Sequence, residues 1–429
     1  MSFNEYKTVK ACCICNSKNL EQVLDMGKTP LANNLANTCN ESNIQKDYNL
    51  CLFICKSCNH VQLNTEINKE ILFSKYSYKT GISTTMLDHF KCFANDLCEY
   101  FNKKNKLPSD IKILDIGSND STLLDILHSK GYKTFGIEPA SNLANASSHN
   151  IFNGFFDDDN INMIYKQFGV FDVITANNVF AHNRDLNKFI KNMSYLLKKD
   201  GMISIEVQYL PNLIQNCYID MIYHEHTSYH HLKPLLKFFE KYNLRLNSVT
   251  NILPHGGSMR IILNNSSENM ISFENKDKTQ NFIKSDNIFD RQILNSFVLL
   301  KSKIETIKSS LNTSIRELTR KYPLLYGYSA PAKTVTLLSL LEKDIINNIQ
   351  FIIEDNDLKQ GKYIPKTKIP LISINEAIER IDTKKSACII FAWNMFDELS
   401  KKIMSNPKLN PYALISPLPD PKVLEISYG

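Results

Sequence analysis

The stretch IKILDIGSNDS at residues 111–121 decides the fold of this chain. Its apolar residues stand together, as in a strand that is buried on both faces. Asp115, Gly117 and Ser118 interrupt this run, and residues 122–129 continue with leucines spaced to share one helical face. A strand, a glycine turn and a helix are the arrangement with which an open α/β sheet presents backbone amides to a ligand. The stretch therefore predicts an α/β domain with a ligand site at Gly117.

The next predicted strand, at residues 134–137, ends in Glu138, which lies 21 residues after Gly117. A carboxylate at this place can accept hydrogen bonds from both hydroxyls of a ribose. A dinucleotide site would need three spaced glycines, but this turn has one, together with Asp115, Asn119 and Asp120. Such a turn suits a nucleoside with a cationic centre and no phosphates, and S-adenosylmethionine is such a molecule. The alternative is an α/β domain whose first turn is acidic by chance.

Length and composition are those of an ordinary globular protein. The chain has 429 residues, enough for two or three domains, and a hydrophobic content of 43%. A formal net charge of +6 is small for this length, so nothing indicates a nucleic-acid partner. The first residues form no apolar signal segment, and no 18-residue apolar run is present, so we expect a cytoplasmic protein without a membrane partner.

The cysteines indicate a metal site near the N-terminus. Cys12 and Cys15 form one Cys-x-x-Cys knuckle, Cys55 and Cys58 form a second, and 39 residues separate the two. Two such knuckles can supply four thiolates to one tetrahedral zinc ion, and four thiolates leave no open position, so the zinc is expected to be structural. The alternative is a set of unconnected reduced thiols, and the neighbouring Cys13 leaves the first ligand open.

Polar residues follow another predicted strand, at residues 171–176. Asn177 and Asn178 come directly after it, and His182 lies four residues farther on. Ligands of open α/β sheets bind at this end of the strands, so the two asparagines are candidate cofactor contacts. A lone histidine at a strand end is more often structural than catalytic.

A histidine cluster gives His182 a functional context. Tyr223, His224, Glu225 and His226 are consecutive, and His230 and His231 follow closely. Imidazole, phenol and carboxylate together supply a proton acceptor near neutral pH and groups that orient it. The metalloprotease pattern His-Glu-x-x-His is not met, because residue 228 is serine. A packed polar cluster without catalytic function is the alternative.

Three further segments carry candidate contacts. The tyrosine segment, residues 76–81, is either a lid over the cofactor or a linker. Arg260, in a predicted strand over 259–263, is a candidate anion ligand. Residues 264–285 are expected to form a loop, and a long helix is predicted from Asp286, as its N-cap, to Lys321. A second strand, turn and helix follows, and the turn holds Lys333, which is placed to bind a pyrophosphate.

Taken in order, these motifs resemble the three-domain nucleotide-deoxysugar C-methyltransferases, the family that includes the enzymes methylating C3 of dTDP-4-keto sugars. The resemblance extends over nearly the whole chain. It is carried by the cysteine knuckles, the tyrosine segment, DIGSND at 115–120, GIEP at 136–139, NVFAH at 178–182, EVQYL at 206–210, IYHEH at 222–226, HGGS at 255–258, YGYSAPAK at 326–333, KQG at 359–361 and AWN at 392–394.

The resemblance implies a zinc-binding domain over residues 1–72, a Rossmann-like S-adenosylmethionine domain over 73–285, and a second α/β domain over 286–429 that helps to hold a nucleotide-linked sugar. The implied protein is a monomer or a weak homo-oligomer. The catalytic candidates are His226 as base, Glu225 as its partner, and Tyr223 or His182 as stabilisers of an enolate oxygen. Tyr76 joins the cofactor contacts, and the substrate contacts are His224, Arg260, Lys333 and Lys359.

The chain departs from the family pattern at several positions. Ser121 replaces a usual glycine, Gln208 a usual proline, and His230 and His231 stand where an aromatic residue is common. These changes leave two other functions open, namely O-methylation of a sugar or small molecule, and binding of a nucleotide sugar without methylation.

Overall fold

The computed structural model describes residues 5–74, 80–82, 84–265, 272–381 and 385–427. The chain folds into two compact units whose segments alternate along the sequence. The first unit comprises Met1–Gln22, Leu52–Asn212 and Glu225–Ile293, and the second comprises Val23–Cys51, Leu213–His224 and Leu294–Gly429. The predicted domain limits at residues 72 and 285 stay a prediction. Among the described residues, no helix is both long enough and apolar enough to cross a membrane.

The N-terminal region is built from short strands and two short helices. These elements are β1 (Tyr6–Thr8), β2 (Leu20–Thr29), α1 (Cys39–Ile44), β3 (Tyr48–Cys55), β4 (Val61–Leu63), β5 (Thr65–Ile67) and α2 (Lys69–Phe73). Strands β3 and β4 pair antiparallel over Leu52–Ile54 and Val61–Leu63. This hairpin carries the second cysteine knuckle between its strands.

A seven-stranded sheet forms the centre of the first unit. The elements of this part of the chain are α3 (Thr84–Asn102), β6 (Lys112–Ile116), α4 (Thr122–Ser129), β7 (Lys133–Glu138), α5 (Ser141–Ala144), β8 (Asn150–Asn153), α6 (Ile161–Phe168), β9 (Phe171–Asn177), α7 (Leu186–Leu196), β10 (Leu197–Gln208), α8 (Leu210–Gln215), β11 (Ser228–Tyr229), α9 (Leu232–Glu240), β12 (Arg245–Ile252) and β13 (Ser258–Asn264). Strand β11 pairs with β4 and lies outside the seven-stranded sheet. The strand order is β12-β13-β10-β9-β6-β7-β8. Strands β6 to β10 run parallel to one another. Strand β13 pairs antiparallel with β10 on one side and with the edge strand β12 on the other.

Strand β6 is buried on both faces, as its sequence predicts. Ile113 packs in one apolar cluster and Leu114 in the other, and the same alternation holds for Val173 and Ile174. The strand is therefore covered on both sides, and only its carboxyl end is available to a ligand. The Rossmann-like fold expected for this domain is confirmed.

The second unit holds a second α/β sheet. Its elements are β14 (Leu324–Tyr328), α11 (Thr334–Leu338), α12 (Lys343–Asn348), β15 (Ile349–Ile353), β16 (Leu371–Ile372), α13 (Ile374–Ile381), β17 (Ser386–Ile390), α14 (Phe396–Met404), β18 (Ala413–Ser416) and β19 (Lys422–Glu425); they follow the long helix α10 (Lys276–Lys321). The strand order is β16-β15-β14-β17-β18-β19, with all pairs parallel except the last.

The start of the long helix differs from the prediction. Helix α10 begins at Lys276, ten residues before Asp286, so part of the expected loop is helical. Asp286 does not cap this helix; its carboxylate accepts hydrogen bonds from the backbone amides of Leu232 and Lys233, at 2.9 and 2.8 Å. Asp286 thus satisfies the free amides at the start of α9, a partner 54 residues away that a local pattern does not reveal.

Candidate active site

The turn after β6 brings the backbone of Gly117 and Ser118 against the end of β7. Both amides donate to the carbonyl oxygen of Ile137, at 2.8 and 3.1 Å. Gly117 has a φ of +71°, and a Cβ atom built on it would lie 2.5 Å from Cγ2 of Val179. Only glycine suits this position, because the backbone is left-handed and Val179 already fills the space above it.

Glu138 closes this turn with its carboxylate. One oxygen accepts the amide of Asn119 at 2.9 Å, and the other accepts the amide of Ala140 at 2.8 Å. Burial raises the pKa of Glu138, and the two amides act in the opposite direction. Each carboxylate oxygen has a second lone pair, so the group can accept the two hydroxyls of a ribose while it holds the turn.

Asn119 and Asp120 hold the last two residues of the tyrosine segment. Oδ1 of Asn119 accepts the amide of Thr80 at 3.0 Å, and Oδ2 of Asp120 accepts the amide of Gly81 at 2.9 Å. Thr80 and Gly81 are therefore bonded to the proposed cofactor turn, a contact that the sequence of this segment, which fits a lid or a linker, does not reveal. Tyr76 lies outside the described residues.

Asp115, Asn177 and Asn178 lie at the carboxyl ends of the neighbouring strands β6 and β9. Asp115 is buried within β6 and accepts the hydroxyl of Thr175 at 2.6 Å, and burial raises its pKa to about 7. Asn178 donates its amide to the carbonyl oxygen of Glu206 at 2.8 Å. The side-chain amide of Asn177 has no hydrogen-bond partner within the described part of the chain, although both of its polar atoms are buried. Such a group costs about 1–3 kcal/mol when unsatisfied, so a polar ligand fits at Asn177.

His182 and His226 form a ring pair. Their ring centroids lie 4.9 Å apart with the planes nearly perpendicular. Thr227 joins the two segments, because its amide and its hydroxyl both donate to the carbonyl oxygen of Ala181, at 2.9 and 3.0 Å. His182 also contacts the ring of Phe73, at 5.5 Å. The backbone amide of His182 donates to the carbonyl oxygen of Val179 at 3.0 Å, and Val179 is the residue that packs against Gly117.

The histidines and the glutamate of the cluster are buried, and Tyr223 is half-buried. Glu225 is 2% exposed and His226 is 7% exposed. In the second unit, Nε2 of His224 lies 3.3 Å from the carbonyl oxygen of Asn49, and burial lowers the pKa of His224 to about 4. His224 is therefore neutral at physiological pH and contacts the protein itself; that it binds substrate stays a prediction.

Arg260 is engaged inside the first unit. Its Nε donates to Glu206 at 2.7 Å, and NH1 lies 3.3 Å from Asp96. Its charge is thereby compensated by two carboxylates, and the side chain is buried. These contacts favour a structural role over the predicted binding of a substrate anion.

Lys333 and Lys359 occupy different surroundings in the second unit. Nζ of Lys333 donates to Asn394 at 2.6 Å and lies 3.5 Å from Asp220, over the ring of Trp393. Burial lowers the pKa of Lys333, and Asp220 acts against this. Lys359 donates to the carbonyl oxygen of Ala330 at 2.9 Å. Lys333 thus borders a polar cluster, whereas Lys359 ties a turn together.

The four knuckle cysteines come together as predicted. The sulfurs of Cys12, Cys15, Cys55 and Cys58 all lie within 4.8 Å of one another. Cys12 and Cys58 are 3.6 Å apart, and Cys15 and Cys55 are 3.5 Å apart. A tetrahedral site with zinc–sulfur bonds of about 2.3 Å has edges of about 3.8 Å, so the arrangement fits zinc. The thiol of Cys13 contacts Ser228 instead, which identifies Cys12 as the ligand.

The surroundings of Ser121 and His230 explain their departures from the family pattern, and those of Gln208 do not. Ser121 has a φ of +66°, which accounts for the usual glycine, and its hydroxyl bonds to that of Ser147 at 2.6 Å. His230 packs its ring on Phe180, at 4.8 Å between centroids, so an imidazole takes the place of an aromatic ring. Nε2 of Gln208 is buried and has no partner in the ranges that the structure describes.

Comparison with known proteins gives three family matches in order along the chain. Residues 12–73 match a zinc binding domain, residues 87–249 a methyltransferase domain, and residues 254–419 a C-methyltransferase C-terminal domain. A curated relative, C-methyltransferase NovU from Streptomyces niveus, is 26% identical over 425 residues, which are 97% of each chain.

Solved structures resemble a smaller part of the chain. A S-adenosylmethionine-dependent methyltransferase from Clostridium acetobutylicum is 13% identical and covers 41% of this chain and 91% of its own, with a TM-score of 0.33. Magnesium protoporphyrin IX methyltransferase from Synechocystis with bound SAH is 11% identical, with a TM-score of 0.34. The match covers 42% of this chain and 85% of the methyltransferase chain.

Proposed function

We propose that this chain, which is an S-adenosylmethionine-dependent C-methyltransferase, methylates C3 of a nucleotide-linked 4-keto sugar. The ring pair of His182 and His226 carries this proposal. His182 is bonded through its backbone to Val179, which packs against Gly117, and an imidazole of the pair can act as the proton acceptor that methylation of carbon requires. The sugar, its nucleotide and the methylated position rest on the resemblance of the sequence motifs.

Carbon is a poor nucleophile unless a neighbouring group acidifies its C–H bond. A ketone at C4 makes the hydrogen on C3 acidic, because loss of this proton gives an enolate. The protein must therefore remove a proton and stabilise an oxyanion before the methyl group is transferred. An imidazole with a neighbouring carboxylate is suited to the first task, and a phenol or a second imidazole to the other.

We assign these tasks to four residues. His226 removes the proton from C3, and Glu225 orients the imidazole and stabilises its charged form. Tyr223 or His182 donates a hydrogen bond to the enolate oxygen. The burial of His226 and Glu225 supports this assignment, because hydrogen bonds and charges act more strongly away from water.

S-adenosylmethionine, when bound, supplies a methyl group on a positively charged sulfur. We place its ribose at Glu138 and a polar group of the cofactor at the amide of Asn177, around the Gly117 turn. Asp115, Asn119, Asp120 and Asn178 shape this edge through the hydrogen bonds described above.

We assign the nucleotide part of the substrate to the second α/β domain. Lys333 is the main candidate there, because its ammonium group lies on a partly open cluster with Asn394. Asp220 compensates part of its charge, which favours contacts to hydroxyl groups as well as to phosphate.

Replacement of the base tests the proposed function. His226→Ala should lower turnover by at least about 100-fold, the contribution of a positioned base. Its affinity for S-adenosylmethionine, measured by calorimetry, should stay within about twofold. His128→Ala, at an exposed histidine of the same unit, is the matched control.

The product distinguishes the competing functions. Mass spectrometry and NMR on a panel of 4-keto sugar nucleotides should locate the new methyl group on carbon. A methyl group on oxygen, or binding of the nucleotide sugar without any product, would overturn the proposal, and unchanged turnover in His226→Ala would remove His226 as the base.

A further inference from the structure

Glu206 lies at the carboxyl edge of the central sheet and has no role in the chemistry proposed above. It lies in β10, two residues before the end of the strand, and pairs with Asn177 of β9 on one side and with Arg260 of β13 on the other. Its side chain is 1% exposed. A carboxylate buried to this extent needs compensation of its charge and of its hydrogen-bonding capacity.

His89 and Arg260 provide that compensation. One oxygen of Glu206 accepts Nε of Arg260 at 2.7 Å, and the other lies 2.8 Å from Nε2 of His89. Burial raises the pKa of Glu206, but Arg260 and His89 outweigh this, so its pKa lies below the ordinary value. Glu206 is therefore ionised at neutral pH and binds two partners from different elements.

The network fixes one face of α3 to the sheet. His89, Phe93 and Asp96 follow one another at helical spacing, so they share a face. The guanidinium of Arg260 lies 4.6 Å from the ring of Phe93 and 3.3 Å from the carboxylate of Asp96. All three side chains thus contact the same Glu206–Arg260 pair.

Helix α3 directly follows a short segment that is hydrogen-bonded to the proposed cofactor turn, residues 117–121. It begins at Thr84, and the short turn Thr80–Ile82 precedes it. The amides of Thr80 and Gly81 are held by Asn119 and Asp120. A displacement of α3 would pull on these two hydrogen bonds, because only residue 83 separates the two elements.

We infer that His89, Glu206 and Arg260 are positioning residues: they hold α3 so that Thr80 and Gly81 stay bonded to Asn119 and Asp120. The network thereby keeps the turn of residues 117–121 in the shape that binds the cofactor. This inference rests on the proposed placement of S-adenosylmethionine at that turn.

Exchange of the Thr80 and Gly81 amides, followed by NMR in the cofactor-free protein, tests the first step. His89→Ala should speed their exchange by about tenfold or more, because the segment opens locally more often. His89→Gln, whose amide can still donate to Glu206, should restore most of the protection. Asp88→Ala is the matched control, since Asp88 is on the same helix and its side chain is 75% exposed.

Affinity for S-adenosylmethionine tests the second step. His89→Ala should raise Kd by about tenfold, and His89→Gln and Asp88→Ala should stay within about twofold of the unaltered protein. Should His89→Ala fail to fold, Asp96→Asn gives the milder test, because it removes a partner that is 44% exposed, and it should shift both readings in the same direction.

Two outcomes would overturn the inference. A lower Tm in His89→Ala with unchanged exchange and Kd would make the network a mere stabiliser of the fold. Faster exchange with unchanged Kd would mean that the network holds Thr80 and Gly81 in place but does not affect cofactor binding. Failure of the unaltered protein to bind S-adenosylmethionine would instead contradict the proposed function itself.

Discussion

The two α/β domains share a turn of the same construction but differ in the polar groups around it. In the first, Gly117 donates its amide to the carbonyl oxygen of Ile137, the residue before Glu138. In the second, Ser329 donates its amide to the carbonyl oxygen of Ile353, the residue before Glu354, at 2.7 Å. Glu138 and Glu354 then each accept one amide from the turn and one from the residue two positions after themselves. An acid that bridges a turn is therefore a structural device in this protein, and it does not by itself identify a cofactor site.

The surroundings distinguish the turns. Beside the first, the buried amide of Asn177 has no partner in the portion of the chain that the structure describes. Beside the second, Lys359 donates to Ala330, and Tyr328 and Lys402 both bond to Asp355. These groups at the second turn are bonded within the protein, whereas the amide of Asn177 at the first turn is available, which is why we place S-adenosylmethionine at the first.

Matched replacements of the two acids should give the largest difference between the turns. Glu138→Gln should raise the Kd of S-adenosylmethionine by about 10–100-fold, since an amide cannot accept from both backbone amides and both ribose hydroxyls. Glu354→Gln should leave this Kd within about twofold. Titration calorimetry of both variants measures the contrast, and equal effects would remove the distinction.

Replacement of Lys333 tests the second turn, which we assign to the nucleotide sugar and not to S-adenosylmethionine. Lys333→Met keeps the aliphatic stem and removes the charge, so the KM of the nucleotide sugar should rise about tenfold, as for loss of a charged hydrogen bond. The Kd of S-adenosylmethionine should not change. Lys321→Met, at a surface pair with Glu425, is the control, and a KM unaffected by the change at Lys333 would contradict its assignment to the substrate.

The smallest effect concerns the two serines with left-handed backbone. Ser121 and Ser329 have φ values of +66° and +62°, so glycine at either should raise the free energy of unfolding by about 0.5–1 kcal/mol. The gain at Ser121 should be smaller, because its hydrogen bond to Ser147 is lost. Denaturant unfolding measures both, and Ser339→Gly, at an ordinary φ of −68°, should instead destabilise the protein. Destabilisation by glycine at both left-handed sites would contradict this account of the turns.

The sequence predicts the elements that local patterns determine. The strand after residue 111, the helix over residues 122–129 and the zinc cysteines are all found as expected. The predicted strand–turn–helix around Lys333 is also present. Hydrophobic spacing, glycine turns and paired knuckles depend on near neighbours, so they can be read along the chain.

Partners that come from distant elements cannot be predicted in this way. Asp286 follows the pattern of a helix cap but caps a helix 54 residues away. Arg260 resembles an anion ligand, yet Glu206 and Asp96 compensate its charge. Asn119 and Asp120 resemble cofactor contacts, yet their oxygens accept amides of Thr80 and Gly81. In each case the type of side chain is informative, and its partner depends on the fold.

Exchange of the substrate C–H proton with solvent tests the central claim most directly. A 4-keto sugar nucleotide is incubated with the protein in deuterated water without S-adenosylmethionine, and deuterium at C3 is followed by NMR. We expect uptake with the unaltered protein and with His128→Ala, and none above background with His226→Ala. Methyl transfer to the sugar without any uptake, or undiminished uptake in His226→Ala, would contradict the account.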